Sequence, residues 1–378
     1  MSVLRSQPLT IHQFHYRASA GEAVTQHMLF IREALAEMGV GGKIFSVQRT
    51  NLPQGKVQAW SLDSVWDCDL LLVHHSQYNP NLKELLSVEV PKAVVYHSQP
   101  SETYFAHDPE AKKNLHLGRK QLSLMGKLGL PALGASHFAL SELSGYGFKM
   151  VDRIPLMHLE QPPAENKELN TLEPWHFLFV GKLAPHKKQA LLIETFQHLK
   201  KKIPPHSKLH LVGTGDLLYT KYLKLLIKQL DLNLSVTLTG KLTDSNLKEY
   251  YSLADAFVCL SEHEGFCLPL VEAMKSGVPV FYRPLAGAKE TMGGAGVALL
   301  TEDPVKNAVI LETVLKNHSA LKAVQSKQEK RLKELGAFQN REMVQKKIMQ
   351  LCSRNPEMRN YETSITVSST QRLPESVV

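Results

Sequence analysis

Two glutamates eight positions apart, Glu264 and Glu272, flank the segment Gly265-Phe266-Cys267-Leu268-Pro269. The apolar run ahead of them, Ala256 to Leu260, reads as a buried strand. Proline is favoured at the first helical position, so Pro269 predicts a helix start. Glu264 then falls in the loop before that helix and Glu272 about one turn inside it. The N–H groups of Gly265, Phe266, Cys267 and Leu268 would be unpaired donors at the helix start, a ready site for phosphate. A carboxylate repels phosphate, so Glu264 is better aimed at something neutral or cationic beside it. Sugar hydroxyls qualify, as does the positive charge that develops at an anomeric carbon while its bond to phosphate breaks. Glu272 could accept hydrogen bonds from a second polyol such as a ribose. Phosphate between two hydroxyl-bearing rings describes a nucleotide sugar. The plainer alternative is a solvated Glu264 and a Glu272 that merely favours the helix dipole.

The arrangement resembles the E-x7-E element of retaining glycosyltransferases of the GT-B fold, family 4. The likeness extends past the two glutamates. Phe179-Val180-Gly181-Lys182-Leu183-Ala184-Pro185-His186-Lys187-Lys188 resembles the family's donor loop. Val212-Gly213-Thr214-Gly215-Asp216 is similar to its second strand-to-helix turn, and Leu238-Thr239-Gly240-Lys241 to its third. Glu290-Thr291-Met292-Gly293-Gly294-Ala295-Gly296 resembles its last.

The resemblance implies an α/β protein of the GT-B plan, two Rossmann-like α/β domains facing across a cleft. It implies a retaining hexosyltransferase. The donor would be a UDP- or GDP-sugar, mannose-type among the candidates. The acceptor would be a hydroxyl of a glycan or lipid-linked molecule, as in cell-surface polysaccharide assembly. Lys182, Lys187 and the amides of residues 265–268 would hold the diphosphate. Glu272 would bind the ribose, and Glu264 would contact the sugar and stabilise an oxocarbenium-like transition state. The family is metal-independent, so neither cofactor nor metal is expected; the nucleotide sugar is the co-substrate. The family usually has Arg where Lys182 stands, and lysine keeps the charge but loses the planar two-pronged contact. Gly is common where Lys188 stands, and Lys188 is read as surface.

Three further features carry chemistry. Gly21, between a strand-like Ile11 to Tyr16 and a helix, matches the family's N-terminal glycine loop, where backbone approaches donor phosphate or acceptor. The dinucleotide fingerprint G-x-G-x-x-G is absent there, against a nicotinamide enzyme. His97 ends the apolar run Ala93 to Tyr96 and resembles a family position beside the transferred sugar, where it would hydrogen-bond the sugar or steer the acceptor hydroxyl. His74 and His75 also end a strand, but adjacent residues on a strand point apart, and no metal is assigned to them. Asp67-Cys68-Asp69 precedes its apolar run, which places the carboxylates at the strand start as turn chemistry.

Organisation follows from periodicity. In the C-terminal half, apolar runs recur at 176–181, 208–213, 235–240, 256–261, 278–282 and 296–300, separated by amphipathic helical stretches. That alternation implies βαβ units and a parallel sheet. The first three runs end in Gly181, Gly213 and Gly240, which let a ligand approach backbone at the carboxyl ends of strands. The N-terminal half predicts strands at 9–15, 42–47, 69–75, 92–97 and 131–135, and an amphipathic helix from Ala23 to Met38. The expected plan is an acceptor-side domain over 1–160, a linker over 161–174 and a nucleotide-sugar-binding domain over 175–336. A helix over 337–354 crosses back to the first domain, and a polar, disordered tail covers 355–378.

At 378 residues, two domains are the natural expectation. No stretch is long and apolar enough for a membrane span, and the N-terminus lacks a signal-peptide core. The four cysteines show no paired spacing, which fits reduced thiols and a cytoplasmic location. The net charge is +8, with lysines clustered at 200–202, 221–228 and 327–347. No nucleic-acid-binding motif accompanies them, so nucleic acid is not an expected partner. Peripheral contact with an anionic membrane at the inner face fits better, beside the anionic donor itself; solvated helix faces are the alternative. Two other functions stay open on this fold, a sugar-nucleotide 2-epimerase and a non-catalytic nucleotide-sugar-binding subunit.

Overall fold

The computed structural model describes residues 8–52, 55–61, 67–157, 159 and 173–353. The expected linker, but for its last two residues, and the expected tail lie outside them. In the N-terminal half the elements are β1 (Ile11–Phe14), β2 (Arg17–Ser19), α1 (Ala23–Ala36), β3 (Ile44–Ser46), β4 (Gln48–Thr50), β5 (Gln58–Ala59), β6 (Leu70–His75), α2 (Leu82–Ser87), β7 (Lys92–Tyr96), α3 (Pro109–Lys127), β8 (Ala132–Gly134), α4 (His137–Gly145) and β9 (Val151–Arg153). Seven strands pair in the order β5-β3-β1-β6-β7-β8-β9, all parallel, and β2 pairs with β4 beside them. All five strands expected from apolar runs are present. The four that were not expected are two or three residues long and carry no such run, and β4 and β5 are exposed throughout.

The C-terminal half continues with β10 (His176–Val180), α5 (Gln189–Lys200), β11 (Lys208–Val212), α6 (Leu217–Gln229), β12 (Val236–Gly240), α7 (Asp244–Leu253), β13 (Ala256–Cys259), α8 (Leu268–Lys275), β14 (Val280–Tyr282), α9 (Ala286–Met292), β15 (Val297–Ala298), α10 (Pro304–Leu315), α11 (His318–Gly336) and α12 (Arg341–Ser353). Its sheet runs β12-β11-β10-β13-β14-β15, so each of the six apolar runs becomes a strand. Core clusters on its faces include Phe177, Phe179, Leu209 and Phe196, and Leu178, Phe257, Leu270 and Met274. Both sheets are parallel and of the doubly wound kind.

Strand order reverses between β10 and β13, and between β1 and β6. Open α/β sheets bind ligands outside the carboxyl ends of strands at such switch points. The loops after β10 and β13 carry Lys182 to Lys187 and Glu264 to Cys267.

The last helix joins the halves. It starts at Arg341, four residues later than expected, because α11 runs to Gly336 and a turn follows. Val344, Ile348 and Cys352 on α12 are buried with Ile11, Ile31 and Leu35 of the first half. Burial of Val344 and Ile348 contributes about 1.5–3 kcal/mol each. Lys347 adds an ion pair with Asp152 at 2.8 Å.

Candidate active site

The loop after β10 is set by backbone geometry. Gly181 ends the strand, a single 3-10 turn spans Pro185–Lys187, and Lys188 takes a left-handed conformation with φ of 55° before α5. Glycine adopts that conformation without strain, and lysine does so at a cost. Lys188, expected at the surface, is partly exposed and held by two carboxylates: its Nζ lies 3.1 Å from Glu262 and 3.4 Å from Glu302. The turn points Lys187 inward, where Nζ meets Glu264 Oε2 at 2.7 Å with both side chains largely buried. Burial alone would lower the pKa of Lys187; the charge and hydrogen bond of Glu264 outweigh it, and the net shift is upward. Lys182 instead reaches solvent, with desolvation first and Arg17 second lowering its pKa.

Cys267 is left-handed, with φ of 72°, and turns the chain into α8 one residue earlier than Pro269 alone predicts. Leu268 is the first helical residue and Pro269 the second, so Leu268 belongs to the helix. The carbonyls of the preceding loop are all held. Gly287 N donates to Glu264 O at 2.8 Å, Ser136 Oγ to Gly265 O at 2.5 Å, and Thr291 Oγ1 to Phe266 O. The amides of Gly265, Phe266, Cys267 and Leu268 donate to no acceptor among the described residues. Phe266 and Cys267 bury their side chains in the core, so only their backbone can face a ligand. On α8, Glu272 Oε2 accepts a 2.7 Å hydrogen bond from the Tyr251 hydroxyl, and burial raises its pKa.

Of the glycines at the strand ends, Gly213 is required by close packing. Gly213 N donates to Gly240 O at 2.9 Å, and a Cβ on Gly213 would lie 2.0 Å from Gly181 O. Gly240 and Gly21 both have positive φ, 74° and 73°. Lys241 donates from Nζ to the Ala20 carbonyl, so the third turn of one half meets the glycine loop of the other.

The two halves touch around this region through residues far apart in the chain. Ser98 Oγ donates to the Glu142 carboxylate and lies 3.0 Å from His263 Nε2. Burial raises the Glu142 pKa to about 7. A Cβ on Gly265 would lie 2.9 Å from Ser98 Cβ, so the loop after β7 presses on the loop before α8. Glu290 accepts from His137 N at 2.7 Å, at the start of α4, and pairs with Arg153 at 3.2 Å. His263 and Glu290 lie beside or within the sequence motifs. Ser98 and Glu142 gave no periodic or spacing signal, because their partners are distant in the chain.

His97 is held in a chain of rings. Its Nε2 lies 2.9 Å from His74 Nδ1, and His74 Nε2 donates to Gln13 Oε1 at 2.9 Å. Since His74 keeps its proton on Nε2, His97 is the donor between the two rings. Burial first, and nearby His27 second, lower the His97 pKa well below the ordinary value. A neutral ring can hydrogen-bond a sugar but cannot supply positive charge. His75 turns the other way, donating to Gly118 O at 2.9 Å.

Two groups of side chains have ligand-like proximity. His27, His74 and His97 bring one nitrogen each within 4.8 Å, and so do the donor atoms of Cys259, Glu264 and Cys267. In the first group the His97–His74 hydrogen bond engages the lone pair a metal would need. In the second, Glu264 is already neutralised by Lys187. Asp69, of the Asp-Cys-Asp segment, instead accepts from Thr10 N at 2.8 Å and closes the start of β6 against β1.

A sequence profile described as glycosyl transferases group 1 matches residues 161–331. Mannosylfructose-phosphate synthase of Agrobacterium fabrum is 35% identical over 108 residues, 27% of this chain and 24% of that protein. GDP-mannose-dependent alpha-mannosyltransferase of Mycolicibacterium smegmatis is 32% identical over 124 residues, 33% of this chain and 29% of that protein. The matching segment thus spans only about a quarter to a third of these relatives. Among solved structures, sucrose-phosphate synthase from Thermosynechococcus elongatus superposes with a TM-score of 0.70 at 18% identity, over 91% of this chain and 98% of the other. The Anabaena protein HepE, in a complex with UDP and glucose, superposes with a TM-score of 0.67 at 16% identity, over 92% of this chain and 100% of the other. No helix among the described residues is long and apolar enough to cross a membrane. The chain has the two-domain GT-B fold, and its C-terminal half carries the match to the glycosyl transferases group 1.

Proposed function

We propose that this protein is a glycosyltransferase that moves a hexose from a nucleotide diphosphate sugar to a hydroxyl of a glycan or lipid-linked acceptor. The observation that carries the reading is the placement of Lys187, Glu264 and the unpartnered amides of residues 265–268 at one switch point, one helical turn before Glu272. Lys187, Lys182 and the amides take the diphosphate. Fixed donors aimed at developing phosphate charge favour its departure. Glu264 faces the sugar and Glu272, with Tyr251, the ribose. His97 offers a neutral hydrogen-bonding ring to sugar or acceptor, and Gly21 and Gly240 bring backbone of the two halves to the donor. Contact between the halves excludes water and limits hydrolysis.

The anomeric configuration is retained in this reading, by same-face attack in which the leaving phosphate takes the acceptor's proton. Lysines and amides replace a divalent ion. A mannose-type donor is the first to test, because two of the similar proteins are named for mannosyl chemistry. The experiment incubates the protein with UDP- and GDP-sugars and with glycan and lipid-linked acceptors, with and without a chelator. Transfer with retained configuration, undiminished by chelator, is expected. An inverted product, a strict divalent requirement, or free epimer without transfer would overturn it.

A further inference from the structure

Helix α6 presents an outward face that the donor site does not use. Its inward stripe, Tyr219, Leu223, Leu226 and Ile227, is buried against the core. On the outside, Leu217 is 66% exposed, Leu218 54%, Tyr222 48% and Leu225 53%. Leu218, Tyr222 and Leu225 recur at helical spacing and form one apolar stripe; Lys221, Lys224 and Lys228 form a parallel basic one. The helix contains no acidic residue. Acids near it are Asp216 at its N-cap, which accepts from Tyr219 N and faces His107 at 3.6 Å, Asp231 just past its end, and Glu194 on α5.

Large apolar side chains interleaved with lysines are poorly suited to water alone. An apolar stripe seats in the boundary of a bilayer while lysines reach the headgroups, and each lysine near an anionic surface adds to binding. We propose that the outer face of α6 docks on an anionic lipid bilayer. The basic stripe, the absence of acid on the helix and the chain's net charge of +8 favour that occupant over a neutral protein groove. The N-terminus of α6 follows the second glycine turn, and its Asp216 meets His107 of the other half, so the N-terminal end of the docked face lies beside the contact between the halves. On the glycosyltransferase reading, that brings a lipid-linked acceptor to the site; the docking itself does not depend on that reading.

Cosedimentation of the protein with phosphatidylglycerol-containing and pure phosphatidylcholine vesicles tests it. Binding to the anionic vesicles, weakened by salt, is expected. Lys221→Glu/Lys224→Glu/Lys228→Glu should lower vesicle affinity on the order of a hundredfold or more, and Leu218→Ser/Tyr222→Ser/Leu225→Ser should abolish the salt-resistant part. Unchanged circular dichroism and melting of each variant show that the fold is intact. No binding to anionic vesicles, or binding unaltered by both variants, overturns the proposal. So does a self-associated protein in solution whose dimer dissociates in the Leu-Tyr-Leu variant, which would assign the face to a second copy. Donor hydrolysis, measured on the same variants without lipid, reports separately on the catalytic reading and should not change.

Discussion

Lys187 Nζ and Glu264 Oε2 lie 2.7 Å apart, bridging the loops that leave the two strands on either side of the switch point. The pair joins the group expected to hold phosphate to the group expected to face the sugar. Removing either partner leaves the other charge largely buried. Lys187→Ala should therefore lower turnover about 10²-fold or more and also reduce thermal stability, whereas Lys187→Arg keeps most of the stability. Steady-state rates and melting curves of both variants check this. Full turnover in Lys187→Ala would remove the lysine from the chemistry.

Glu272 and Tyr251 form a second polar pair, 2.7 Å apart on α8 and α7. If Glu272 takes the ribose, Glu272→Ala should weaken nucleotide-sugar binding roughly tenfold, the worth of one charged hydrogen bond. Tyr251→Phe should weaken it less, because the carboxylate remains. Calorimetric titration with donor is the measurement, and equal affinity across the three proteins would exclude the ribose contact.

Gly287 holds the loop before α8 from behind. A Cβ there would lie 2.3 Å from Gly265 O and 2.7 Å from Glu264 O. Gly287→Ala should push the loop out, costing roughly 1–3 kcal/mol of stability and lowering donor affinity without removing any polar group. Melting and donor titration together test it. A wild-type-like affinity would show that the loop tolerates displacement.

Glu142 supplies a pH dependence. Its pKa is raised to about 7 from the usual carboxyl range, by burial first and against the opposing hydrogen bond from Ser98. A raised carboxyl means that the folded protein binds the proton more tightly than the unfolded chain. The resulting stabilisation is complete below the unfolded value near 4.5, declines as pH rises toward 7 and is lost above it. Glu142→Gln should flatten stability across that window and make the variant more stable than the wild type by roughly 1–3 kcal/mol at pH 8, measured relative to their difference at pH 4.5. Urea unfolding at the two pH values decides the matter; parallel pH profiles would mean that Glu142 does not titrate there.

The sequence by itself determined the alternation of strands and helices in both halves and the segment around Glu264 and Glu272. Those are local properties: apolar runs long enough to be buried, glycines at strand ends, and a proline near a helix start. It missed β2, β4, β5 and β9, whose two or three residues gain their pairing only from neighbours already in the sheet. It placed Lys188 at the surface, but neither that residue's left-handed backbone nor its two carboxylate partners can be read from a local window. Only the tertiary structure decided that Lys187 pairs with Glu264, that His97 leans on His74, and that Ser98, Ser136 and Glu290 fasten one half to the other. Those contacts join residues from about 20 to more than 150 positions apart. Their geometry follows from strand order, which fixes the loops that share a switch point and which no local pattern of side chains records.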